Sequence, residues 1–335
     1  MKLLTPGRLV TTGVVLLAVT LALWVFPSNE YIFLPDKAHP VAPLVTVQGG
    51  HDPPPPGGIY FVDVIVRKAS ILERLLGGLH EGADLRPPQE VVPPGVDEAQ
   101  RRQLDLREMR RSQQVAAAVA LRALGRKVVA RQTGALVAAV EPGRPAVGKL
   151  QPTDVIVAIA RKRVRSPLDV FRAMRGRKAG DVVRFAVRRS DGLHTVEIKT
   201  VAAGHGSKRA VVGVLLEPEF DIRLPVHVRI DAGNVGGPSA GVAFALDLME
   251  ELGRDVDRGH KIAATGEIFL DGRVGPVGAL KQKTIGARKA GVDVFFVPAG
   301  ENAREAKRYA KGLRIVAVET FPQVLRTLAT LPQRQ

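Results

Sequence analysis

The chain has 335 residues, enough for two domains and a membrane segment, and its 45% hydrophobic content excludes global disorder. Aromatics make up only 4%, so the cores must be aliphatic, and the absence of cysteine excludes disulfides, thiolate metal sites and a cysteine nucleophile. A net charge of +16 invites a nucleic-acid partner, but the basic residues are scattered, with no zinc-finger spacing, stacking motif or basic tail. No nucleic acid is expected; a basic surface drawn to anionic lipid or cell-wall polymer is the better reading.

Residues 9–26 form an uncharged, Leu- and Val-rich run, preceded by Lys2 and Arg8 and followed by Glu30 and Asp36. The length just suffices to span a bilayer, and the flanking charges favour a cytoplasmic N-terminus. A cleaved signal peptide competes, but no small-x-small cleavage site follows. Residues 1–30 are therefore expected to be a cytoplasmic N-terminus with an uncleaved single-pass transmembrane helix, leaving the rest extracytoplasmic. Residues 31–58, proline- and glycine-rich and including Pro53–Pro56, suggest an extended spacer. Ile59–Val66 has the β-branched and aromatic content of a buried strand, and residues 97–124 are helix-like. Residues 59–124 are expected to pack on the C-terminal domain.

From 125 to 202 the texture becomes short strands and turns. Gly134–Val140 is followed by the turn Glu141-Pro142-Gly143, a helix-like Ser166–Met174, and a strand pair flanking Ser190-Asp191-Gly192. This order resembles a PDZ domain of bacterial envelope proteases, although Pro152-Thr153-Asp154 stands where such domains have Gly-Asp. PDZ domains bind a peptide as an added strand. The resemblance implies a binding loop at Gly125, Arg126, Lys127 and Val128; a spacer module without a ligand is the alternative. Gly143–Lys149 has phosphate-loop spacing, but Leu150 replaces the required Ser or Thr, so no nucleotide is expected there.

The stretch Gly233–Gly241 crowds four glycines and a proline about Ser239, and then Val242, Ala243, Leu246, Met249 and Leu252 recur at helical steps. Ser239 at a helix start can cap free amides. The same free amides can also stabilise an oxyanion. Further on, Lys261–Ile268 reads as a strand, Asp271-Gly272 as a tight turn, and Val277–Lys283 as the opening of a helix that ends at Gly291. A strand, a helix, a strand and a final helix follow.

Three blocks stand in order here: Gly237-Pro238-Ser239-Ala240-Gly241, Thr265-Gly266-Glu267-Ile268 and Leu280-Lys281-Gln282-Lys283. Together they resemble the proteolytic domain of Lon proteases, over residues 208–335. The whole order resembles membrane-anchored PDZ–Lon-like serine proteases of Gram-positive bacteria. The implied fold class is α+β: an N-terminal transmembrane helix, a PDZ domain at 125–202, and a Lon-type domain with the ribosomal protein S5 domain 2-like fold. Strand Ile59–Val66 would then belong to the protease domain, with the PDZ domain inserted.

The resemblance implies a dyad with Ser239 as nucleophile and Lys283, not Lys281, as base. Thr265 would fix their geometry and backbone amides near Ser239, Gly237 among them, would be the oxyanion donors. A lysine serves as base only when its pKa falls towards about 7 to 8; taken alone, Lys283 could equally be a solvated surface lysine. Neither His227 nor His260 sits in a matched block. No cofactor and no metal are expected. The expected activity is ATP-independent endoproteolysis of extracytoplasmic proteins or peptides at the cell membrane, with the PDZ domain selecting or gating. A homo-hexamer is what the resemblance implies. The alternatives are a non-catalytic PDZ adaptor on a Lon-like scaffold and a small-molecule kinase of the same fold.

Overall fold

The structure, a computed structural model, describes residues 6–334 apart from 54–55, 78, 93–97, 190, 205 and 208. Residues 1–5 of the expected anchor, Ser190 of the expected turn, and residue 208 lie outside the described residues.

Helix α1 (Pro6–Val25) leads directly into strand β1 (Pro27–Pro40). After the short β2 (Val45–Val47) come β3 (Gly58–Ser70), α2 (Ile71–Leu76), β4 (Asp84–Arg86), α3 (Pro88–Val91) and the long α4 (Glu98–Ala123). The proline-rich stretch expected as a spacer is therefore corrected: β1 pairs antiparallel with β3, and β2 pairs with β13 (Val228–Ile230) far along the chain. The prolines of β1 stand at its two ends and at Pro35, the last paired residue before a register shift, where strands tolerate proline. Tyr31 and Ile32 are buried, and that burial outweighs the composition of the segment.

The middle of the chain holds β5 (Val129–Val140), β6 (Val155–Ile159), β7 (Lys162–Arg163), α5 (Pro167–Met174), β8 (Val182–Arg189) and β9 (Gly192–Lys199). The short β10 (Val201–Ala202) and β11 (Ala210–Val211) form a clasp before β12 (Val214–Arg223). The second six-stranded sheet runs β12-β5-β6-β8-β9, with β7 on β6, over its own core of Val137, Ile156, Ile159, Val183 and Phe185. Gly143–Lys149 is a turn of this unit, and Lys149 donates to the Glu197 carbonyl at 2.8 Å.

The C-terminal part adds α6 (Gly241–Glu251), β14 (Lys261–Ala264), β15 (Glu267–Ile268), β16 (Val274–Gly275), α7 (Leu280–Lys289), β17 (Val294–Pro298), α8 (Glu301–Tyr309), β18 (Arg314–Val318) and α9 (Phe321–Ala329). Its strands join those near the N-terminus in one mixed sheet, β18-β17-β14-β3-β1-β4, in which β3, β14, β17 and β18 are parallel. Parallel neighbours need crossovers, and α7 and α8 supply two of them. Helix α6 is buried along its whole length, with Phe244 against Phe61 of β3. The second sheet is thus inserted between two stretches that share the first.

The expected transmembrane span is not supported: among the described residues no helix is long and apolar enough to cross a membrane. Helix α1 nonetheless presents Val14, Leu17, Leu21 and Val25 to the outside, each more than half exposed.

Candidate active site

Ser239 stands where the glycine-rich loop turns into α6. The N-cap is the following residue, Ala240, and no side chain caps the helix. The serine hydroxyl is turned instead towards α7, where Lys283 Nζ donates to Ser239 Oγ at 2.7 Å and to Thr265 Oγ1 at 3.2 Å. Thr265 Oγ1 donates to the Ser239 carbonyl at 3.1 Å, and the Gly266 N–H reaches the same oxygen at 2.8 Å. Loop, strand end and helix are thereby tied at one point.

Thr265 is fully buried and Lys283 only 5% exposed. Burial disfavours the ammonium and pushes Lys283 down from 10.5 to about 8; the carboxylate of Asp63 acts the other way. Helix α7 comes this close because a Cβ at Gly286 would lie 2.0 Å from the Asp36 carbonyl oxygen. Residues two apart on a helix point to different sides. Lys281 accordingly leaves the site, pairing with Asp84 Oδ1 at 2.7 Å, while Gln282 binds Gly82 O and Asp84 Oδ2 at 2.8 Å each.

A cleft of about 450 Å³ opens beside Ser239, lined by Asp63, Val64, Val66, Asn234 and Val235 among others. Among the described residues strand β3 pairs with β14 only from Gly58 to Phe61, so its edge is unpaired on that side where it borders the cleft. Asp63 was not singled out by the sequence, although one acid in the apolar run Tyr60–Val66 is a signal. Burial raises its carboxyl pKa and its Oδ1 is buried without a hydrogen-bond partner. His39 Nε2 lies 3.6 Å from Asp63 and 3.4 Å from Asp36.

Two expectations are corrected. Gly237 has φ +82° and its N–H donates to the Asp105 carbonyl of α4 at 2.9 Å, so it is not a free oxyanion donor. Among the described residues the N–H groups of Ser239 and Ala240 meet no protein acceptor. The α4 contact is close: a Cβ at Gly236 would lie 2.6 Å from Asp105 Cβ, and Ser112 donates to Pro238 O at 2.9 Å. The second correction concerns Gly125, Arg126, Lys127 and Val128. Gly125, at φ +74°, ends α4, with Arg126 N–H bonded to Leu121 O, and Val128 packs on the main core. Beyond them β5 is paired on both sides, by β6 and β12. The second sheet ends in β12 on one side and β9 on the other, and α5 packs beside β12. His260 is far from this chemistry in bonding terms, its Nε2 lying 2.7 Å from Pro332 O.

Comparison with known proteins places these two units. Residues 199–330 match the Lon protease (S16) C-terminal proteolytic domain, and residues 122–200 match a PDZ domain. Lon protease 1 of Myxococcus xanthus is 40% identical over 112 residues, 32% of this chain and 14% of that protein. Lon protease 1 of Bacillus subtilis is 36% identical over 124 residues, 36% of this chain and 14% of that protein. The chain thus matches a small part of the length of these relatives. Among solved structures, the PDZ domain of the SdrC-like protein from Listeria monocytogenes covers 25% of this chain and 87% of that one at 24% identity, with a TM-score of 0.24. The chain therefore carries a PDZ domain joined to a Lon-type (S16) C-terminal proteolytic domain.

Proposed function

We propose that this protein is an ATP-independent serine endopeptidase in which Ser239 is the nucleophile and Lys283 the general base. The observation that carries this reading is the 2.7 Å contact between Lys283 Nζ and Ser239 Oγ in a buried setting that favours the neutral amine. The neutral amine takes the hydroxyl proton as Oγ attacks the substrate carbonyl carbon. The resulting oxyanion is held by the N–H groups of Ser239 and Ala240 at the start of α6. Lys283, now an ammonium, returns the proton to the departing amine as the C–N bond breaks. Water, deprotonated by the same lysine, then releases the acyl group and restores the serine. Thr265 positions the amine. The substrate lies extended along the unpaired edge of β3, in the cleft.

The PDZ domain, in this reading, takes a peptide on the free edge of β12, beside α5. Exposed Leu168, Phe171 and Leu215 offer apolar contacts there, and Arg209 stands over the Phe171 ring, a charge suited to a terminal carboxylate. Membrane attachment through the exposed apolar side chains of α1, with the enzyme acting on extracytoplasmic proteins or peptides, completes the proposal. The phosphate-loop spacing at Gly143–Lys149 is a turn of the PDZ unit, consistent with independence from ATP.

The test is cleavage of an unfolded protein by the purified chain without nucleotide. Activity present in the wild type, lost in Ser239→Ala and Lys283→Ala and kept in Lys281→Ala, is the expected result. Cleavage by Ser239→Ala at the wild-type rate would refute it.

A further inference from the structure

The cleft beside Ser239 has two sides, set by the strand that borders it. Successive side chains of a strand leave on opposite faces. His39 stacks on the Phe61 ring with centroids 5.5 Å apart and lies 3.6 Å from Asp63, while Phe61 packs against Phe244 of α6. Phe61 and Asp63 thus share the face of β3 that α6 covers, and Ser239 stands just before that helix; Val64 and Val66 lie on the other face. Past Phe61 the edge of β3 is clear of β14 among the described residues. An extended segment lying there meets Asp63 on one side and the two valines on the other.

Among the described residues that line the cleft, Asp63 is the only acidic or basic one. The chain has 49 lysines and arginines, yet none of those described lines the cleft or forms an ion pair with Asp63. Its side chain is 25% exposed, its Oδ1 is buried without a hydrogen-bond partner, and His39 at 3.6 Å stands beyond hydrogen-bond reach. The charged groups that face it are Asp36 and His39 from β1 and Lys283 from α7. Asp36 repels it, and Lys283 must be neutral to act as a base. A carboxylate set in this way is costly until a cation reaches it.

We propose, on the serine-protease reading above, that Asp63 sets substrate specificity by taking the cationic head of a substrate lysine or arginine. The aliphatic stem of that side chain lies against Val235, in the loop that leads to Ser239. The residues before and after it point to the opposite face, where Val64 and Val66 favour aliphatic side chains. The preferred segment is therefore apolar, basic, apolar. Occupation of Asp63 also serves the dyad. Its carboxylate works against the depression of Lys283, and a substrate cation offsets that charge and favours the neutral amine.

The test is cleavage by the full chain of quenched peptides that carry lysine, its uncharged isostere norleucine, or glutamate at one position, scanned along the peptide. At one position lysine should exceed norleucine by about tenfold or more in kcat/KM, with glutamate lowest. In Asp63→Asn the lysine and norleucine peptides should come within about threefold of each other. The pH profile of kcat separates recognition from a merely structural role. Its rising limb should lie at lower pH for the lysine peptide than for the norleucine peptide, and the two should coincide in Asp63→Asn. Equal cleavage of lysine and norleucine peptides by the wild type at every position, with Ser239→Ala inactive, would overturn this inference and leave the dyad standing. A lysine preference that survives in Asp63→Asn would do the same. Cleavage by Ser239→Ala would overturn both.

Discussion

Around Ser239 each functional group rides on an element packed from several sides: α6 buried throughout, Thr265 at the end of an interior strand, Lys283 on a helix pressed against β1. Along β12 the proposed peptide site is backbone at a sheet edge, flanked by exposed Leu168, Phe171 and Leu215. The first region needs particular side chains at fixed distances, because proton transfer fails without them. The second needs only a strand with unpaired amides and carbonyls, which many sequences supply. Chemistry is therefore concentrated in a few residues at one site and spread over a topology at the other.

The sharpest way to break this contrast is to remove side chains. Ser239→Ala and Lys283→Ala should each lower kcat/KM on a short peptide by about 10,000-fold or more, as loss of a nucleophile or its base does. In the PDZ region no single residue should matter that much. Phe171→Ala should weaken binding of a C-terminal peptide by about tenfold, read by fluorescence anisotropy, while cleavage of a short peptide stays unchanged. Equal loss in both assays would mean that the two regions are one site.

Packing around the dyad gives a third prediction. Gly286→Ala inserts a methyl group against the Asp36 carbonyl and should cost about 1–3 kcal/mol of stability in denaturant unfolding, with a fall in activity because α7 must shift. Lys281→Ala sets the small end of the scale. Its ion pair with Asp84 is partly exposed, so its loss should cost no more than about 1 kcal/mol and leave kcat within a few-fold. An inactive Lys281→Ala would reverse the assignment of the two lysines.

The same contrast explains what could be read from the sequence. The blocks around Ser239, Thr265 and Lys283 were legible because their chemistry demands fixed residue types, and the structure brings them within hydrogen-bond reach. The helix after Ser239 was legible from its period, but the cap was not: Ala240 takes that position and frees the hydroxyl. Gly237 misled because a positive-φ glycine shows that the backbone turns, not where its N–H goes, and Asp105 lies 132 positions earlier in the chain. The expected spacer at 31–58 misled because its prolines fall at the strand end and beside a register shift, a question of pairing with β3. Gly125 looked like a loop beside a PDZ strand and is a helix end. The edge strand β12 lies after the PDZ pattern in sequence and inside the stretch matched to the Lon domain, so linear boundaries divide what the sheet unites.

The pH dependence reaches the central claim most directly. Burial holds Lys283 near 8 rather than 10.5, so between those values the folded chain binds fewer protons than the unfolded chain and stability should rise with pH. The measurement is the rate at which an activated ester acylates Ser239, followed from pH 5 to 10. The rate should rise with pH, level off with a midpoint near 8, and shift to lower pH in Asp63→Asn, since that carboxylate opposes the depression. In Lys283→Ala the limb should vanish. A midpoint near about 6.5, the ordinary value for histidine, or a limb that survives in Lys283→Ala, would contradict a lysine base.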